Sequence, residues 1–177
     1  MRIASIVFSV VAATATVALL TAAASADDIT LPTRKSGLWE IKIIPDTPGS
    51  APAMAMQICL DPATDKAMME AGLSMTADMC PELTQTRDGD AIVLDATCNV
   101  AGLRTKSHTV ISGDFQSAYT IKTVSDSEGG SPALPKNSVM TQEAKWLGEC
   151  ATTLQPGEMM MFGRKINVLD TMKKIGG

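Results

Sequence analysis

The feature that most constrains this chain is what separates its apolar runs, which is turn residues rather than helices. Asp88-Gly89 divides a run at 83–87 from one at 91–98, and Gly113-Asp114 divides 103–112 from 115–124. An Asp-Gly dipeptide between alternating segments is among the strongest short hairpin signals, because Gly supplies the positive φ that a tight turn needs. Strands joined by tight turns pair antiparallel, whereas parallel pairing requires a long crossover at each step. A further long strand is expected at 138–147, after a loop at 125–137 that carries Gly129-Gly130 and two prolines.

The same period of two appears upstream. Trp39, Ile41 and Ile43 alternate with Glu40 and Lys42 in a strand at 37–44, and Met54, Met56, Ile58 and Leu60 are in phase at 54–60. Between them, 45–52 holds three prolines and a glycine and reads as a loop. A helix follows, with Asp61 as cap and Pro62 in the first turn, and with Ala63, Ala67, Met68 and Ala71 on one face before Gly72. Past residue 147 a Gly/Pro segment leads to Lys165. Val168, Met172 and Ile175 then suggest a short terminal helix, with Lys173 and Lys174 at its negative end. The fold class expected is mainly β, a curved antiparallel sheet or barrel-like meander with one or two short helices and two disulfides.

The N-terminus indicates where such a chain works. Arg2 gives a positive start, residues 3–20 carry no charge, and Ala24-Ser25-Ala26 is a small-x-small cleavage site before Asp27-Asp28. This is the pattern of a secretory signal peptide over 1–26, leaving one exported domain at 27–177 with its core at about 36–175. All four cysteines lie in that part, and an even count in an exported chain reads as two disulfides. If the hairpin is centred on residue 89, opposed residues have numbers totalling 178, as Cys80 and Cys98 do. That pairing leaves Cys59 with Cys150. The competing scheme, Cys59 with Cys80 and Cys98 with Cys150, stays open.

Other function classes find little here. Nineteen acidic residues against fifteen basic ones, without a basic block, argue against nucleic acid or an anionic membrane surface as partner. No run after residue 26 is long enough to span a bilayer. The single histidine, His108, shares an exposed strand face with Arg104 and Lys106, while Ser107 points to the other face. A hydrolytic triad needs a nucleophile and a carboxylate beside that ring, and no Gly-x-Ser-x-Gly elbow or phosphate-binding glycine loop occurs. The expectation is a non-enzymatic protein without a cofactor; oligomeric state is not readable.

Two binding modes remain. An antiparallel sheet that curls can hold a small apolar ligand, and one face here mixes Leu103, Ile111, Phe115 and Ile121 with Thr105, Ser107, Thr109 and Ser117, whose small side chains leave room. The opposite face could equally be the core. The alternative is a methionine-rich Cu(I)-binding protein. Where disulfides consume the thiols, thioethers are the soft ligands left, and Met159-Met160-Met161, flanked by Pro156-Gly157 and Gly163, is its best element if it lies in a loop. Methionines in phase on a strand more often fill core gaps than bind metal.

Lys35-Ser36-Gly37-Leu38-Trp39-Glu40, Cys59-Leu60-Asp61, Cys80-Pro81, Asp88-Gly89-Asp90, Ser112-Gly113-Asp114-Phe115 and Lys145-Trp146-Leu147-Gly148-x-Cys150 occur in this order. Together they resemble an uncharacterised secreted bacterial family, the domain of unknown function 3617, over nearly all of 27–177. The resemblance implies a Gram-negative periplasmic setting and carries no catalytic or binding residue to transfer. Trp39 and Trp146 are expected to be core anchors.

Overall fold

The computed structural model describes residues 31–100, 102–130 and 135–175, so the signal segment expected at 1–26 lies outside the described residues. Nine strands form one antiparallel sheet: β1 (Gly37–Pro45), β2 (Met54–Leu60), β3 (Glu82–Asp88), β4 (Ala91–Val100), β5 (Leu103–Gly113), β6 (Ala118–Gly129), β7 (Asn137–Gly148), β8 (Glu158–Met161) and β9 (Arg164–Asn167). Helix α1 (Pro62–Met79) joins β2 to β3, and α2 (Val168–Ile175) follows β9. The spatial order β3-β4-β5-β6-β7-β1-β2-β8-β9 is a five-strand meander extended by the two N-terminal strands and the last hairpin. The sheet is open, with β3 and β9 as its edges, and does not close into a barrel.

One face carries the core. Trp39, Ile58, Leu60, Ile92, Ile111, Tyr119 and Ala144 are buried on it, with Phe115 from the loop before β6, and Met68 of α1 packs against them. The motif around Trp39 is scaffold. Its indole Nε1 donates to the Lys35 carbonyl at 2.8 Å, the Trp146 Nε1 donates to the Ser36 carbonyl at 3.1 Å, and the Lys35 ammonium sits 3.5 Å from the Trp146 ring centroid. Trp39 is fully buried; Trp146 is half-buried at the rim. Gly37 has φ +132°, and a Cβ there would collide with the Gly148 carbonyl oxygen and the Trp146 indole.

Cys59 pairs with Cys150 and Cys80 with Cys98, which removes the competing scheme. The register behind that expectation was one residue out. Glu82 faces Thr97 and Asp88 faces Ala91, so opposed numbers total 179 and the turn is the two-residue Gly89-Asp90, with positive φ at Gly89. Cys80 is not a ladder residue at all, being the C-cap of α1, and the disulfide pins the end of the helix to β4.

Four more expectations need correction. Helix α1 passes through Gly72 to Met79, where the Cys80 cap N–H donates to the Thr76 carbonyl, and its buried residues are Thr64 and Asp65, while Ala63 is exposed. Strand β6 begins at Ala118 rather than 115, because the Asp114 carboxylate accepts from the backbone of Gln116, Ser117 and Ala118 and holds a loop in which Phe115 has φ +57°. It also runs on to Gly129, through the start of the loop expected at 125–137. Residues 158–167, expected as an irregular segment, form the β8–β9 hairpin, whose central Phe162 and Gly163 both have positive φ, as a type I′ turn requires.

Candidate functional site

The first turn of α1 holds the most deeply buried polar group. Asp61 caps the helix, its carboxylate accepting from the Thr64 N–H at 2.7 Å, and this fixes the next turn so that Asp65 points inward at 1 % exposure. Arg34 meets Asp65 from the segment before β1. Its backbone N–H donates to one carboxylate oxygen at 2.9 Å and its Nε to the other at 2.5 Å, while Nη1 donates to the Tyr119 hydroxyl at 3.2 Å. Tyr119 is itself fixed, stacked on Phe115 with ring centroids 5.1 Å apart and tilted against Trp39 at 5.5 Å. Burial disfavours the charge on Arg34, but Tyr119 and Asp65 outweigh it, and the guanidinium is held above its ordinary pKa. A carboxylate this buried needs its partner more than the pair adds net stability.

This ion pair straps residues 31–34 over α1 and leaves space on both sides. On one side is a small cavity of about 160 Å³ against Met68, Ile111, Phe115 and Ile121. On the other, a cleft of about 710 Å³ lies between α1 and the edge strand β3, walled by Leu31, Met69, Leu73, Ala77 and Leu83. The cleft is within the size range of sites for small organic molecules. Lys66 and Glu70, 3.7 Å apart, and Asp65 add charge to its lining. Gln85 of β3 also lines it, and its buried side-chain oxygen has no hydrogen-bond partner among the described residues.

The residues singled out in the sequence are scattered by comparison. His108 is exposed, as expected, but not alone: its Nδ1 lies 2.7 Å from Asp95 Oδ1, its direct neighbour across β4 and β5. Ser107 points to the other face, and all four cysteines are in disulfides. Met159, Met160 and Met161 lie in β8 and not in a loop, opposite Ile58, Gln57 and Met56, so Met160 faces away from the other two. Of the mixed face, Leu103, Thr105, Ser107, Thr109, Ile111 and Ile121 do share the core face, but only Ile111 is deeply buried. Phe115 and Ser117 belong to the Asp114 loop. Thr105 bonds Ser127 at 3.1 Å and Thr109 bonds Thr123 at 3.0 Å, so these hydroxyls are matched across the strands.

Asp65, Arg34 and Gln85 were not found by sequence reasoning. Asp65 sits in a first helical turn, where an acid is unremarkable, and Arg34 is separated from it by 31 residues. Among the described residues no three His, Cys, Asp or Glu side chains cluster for a metal ion. No described helix is long and apolar enough to cross a membrane.

Fold and site thus define an open antiparallel sheet bearing one disulfide-anchored helix and a cleft of small-molecule size. The family model described as Protein of unknown function (DUF3617) matches residues 34–150, and the chain belongs to that family. The matched span starts at Arg34 and ends at Cys150, taking in α1, the ion pair and both disulfides. No curated protein and no solved structure matches the chain.

Proposed function

We propose that this chain is an exported, periplasmic, single-domain protein at 27–177 that binds rather than catalyses, and that it holds a small amphiphilic molecule in the cleft between α1 and β3. The observation that carries the reading is the cleft itself, about 710 Å³ with a mainly apolar wall, and Gln85 Oε1 on it is a buried acceptor without a partner among the described residues. An apolar wall with few polar groups is how small-molecule sites gain affinity from burial and orientation from hydrogen bonds. The Gln85 oxygen accepts, so the matching ligand carries a hydroxyl, amide or amine donor at its polar end. Export is supported by the pattern of residues 1–26 and by two disulfides that leave no free cysteine, which calls for an oxidising compartment. A non-enzymatic role is supported by the exposure of the His108–Asp95 pair, with the neighbouring Ser107 on the opposite face of β5.

The test is native mass spectrometry of the protein expressed with its own N-terminus and purified from periplasm without detergent. The expected spectrum shows residues 27–177 with both disulfides and an added small-molecule mass that a cleft-filling Leu83→Trp variant lacks. A bare polypeptide mass in both contradicts the binding reading.

A further inference from the structure

We propose a second, independent site on the core face of the sheet, in which the thioethers of Met54, Met56 and Met161 bind a soft monovalent cation, Cu(I) or its analogue Ag(I). The pairing register brings them together. Met56 of β2 lies directly opposite Met161 of β8, and Met54, two residues earlier on the same strand, is the diagonal neighbour of Met161. Directly opposed side chains have Cβ atoms about 4.5–5.5 Å apart, and diagonal ones remain within reach of long side chains. With three rotatable bonds each, methionines at that spacing can turn their sulfurs toward a common point.

These methionines are also distinct from their neighbours in the sequence. Met159 is on the same face but packs against the buried core, opposite Ile58. Met160 is on the opposite face, between Gln57 and Lys165. Met54, Met56 and Met161 are half-buried and stand outside the core cluster. All four cysteines are in disulfides and the one histidine lies on the outer face of β5. Thioethers are therefore the only soft donors this face can offer, and neutral thioethers select Cu(I) over Zn(II). Arg164, opposite Met161 on β9, is exposed and is the adjacent cation on this face. Its charge opposes the ion, which gives the site a predicted direction of change.

The experiment is an anaerobic titration of the disulfide-bonded protein with Cu(I) against a colorimetric chelator, with Ag(I) followed through the methionine methyl NMR signals. The parent is expected to bind one equivalent, with shifts at Met54, Met56 and Met161 and none at Met160. Met54→Leu/Met56→Leu/Met161→Leu keeps apolar volume and removes the donors, and it should lose binding, whereas Met160→Leu should retain it. Arg164→Gln should bind more tightly than the parent. Should the triple variant fail to fold, Met56→Leu alone serves, with weakened binding expected. A parent that cannot compete with the chelator overturns the site, and so does a Leu variant that binds as the parent does.

Discussion

Along the same strands, the core face changes chemistry within a few residues. In one stretch, Ile92, Ile111 and Ile121 lie side by side across β4, β5 and β6, and the neighbouring row runs Tyr119, Ala144, Ile41. Farther along, the rows are Ala96, Ser107, Ser125, Ser138 and then Cys98, Thr105, Ser127. The first region holds the buried core; the second is half-buried and satisfies its hydroxyls across strands. The difference shows that burial, not strand pairing, decides which part of an otherwise continuous face must be apolar. Buried rows hold carbon, whereas half-buried rows need only avoid an unpaired polar group. The buried ion pair belongs to the first region through Tyr119, where removing a partner is expensive, whereas the cleft wall reaches the second through Leu83, opposite Ala96.

The sharpest way to break this contrast is Asp65→Ala. It leaves the Arg34 guanidinium, 13 % exposed, facing an apolar pocket, and a loss of about 3–5 kcal/mol in urea unfolding is expected. Ile111→Ala should cost about 2–5 kcal/mol, while Thr109→Val, two residues away in the hydroxyl region, should cost under about 1.5 kcal/mol. Equal losses at 109 and 111 would erase the distinction between the two regions.

The acid side of the stability profile probes the loop that carries Phe115 into the core. The Ser117 hydroxyl donates to Asp114 at 2.6 Å and three backbone N–H groups donate to the same carboxylate, holding it well below the usual carboxylate range. A depressed folded-state pKa contributes stability above the unfolded value of about 4 that is lost as pH falls through and below it. Unfolding midpoints measured from about pH 5 downward should therefore fall less steeply in Asp114→Asn than in the parent. The smallest effect belongs to the outer face. His108→Ala should shift stability by no more than about 0.5 kcal/mol, as an exposed pair warrants, and a larger loss would mean the Asp95 contact supports the sheet.

What was legible in the sequence follows from where local chemistry dominates. Strand β2 and its bounds were readable because Met54, Met56, Ile58 and Leu60 alternate cleanly, and the Asp61-Pro62 start of α1 because capping is a local bond. The end of α1 was not, since Gly72 lowers helix propensity by about 1 kcal/mol and the disulfide at Cys80 secures the last turn regardless. Strand β8 was hidden because three consecutive methionines show no alternation, and only pairing with β2 on one side and β9 on the other makes them a strand. The Asp88-Gly89 signal located the hairpin but not its register, because a centre on residue 89 implies a loop of odd length, whereas the turn has two residues, Gly89-Asp90. The cleft was illegible for a different reason: its walls come from α1, from β3 and from the segment before β1, and nothing local in any of them marks a cavity.

The most direct measurement of the central claim is a displacement titration at the cleft, with the neutral dye Nile red bound to the disulfide-bonded protein and competed by 1-dodecanol or by dodecane. Saturable one-to-one binding is predicted, with dodecanol the stronger competitor in the parent, that advantage lost in Gln85→Leu, and dye binding lost in Leu83→Trp. Dye that fails to saturate, or that binds Leu83→Trp as it binds the parent, would contradict a ligand site between α1 and β3.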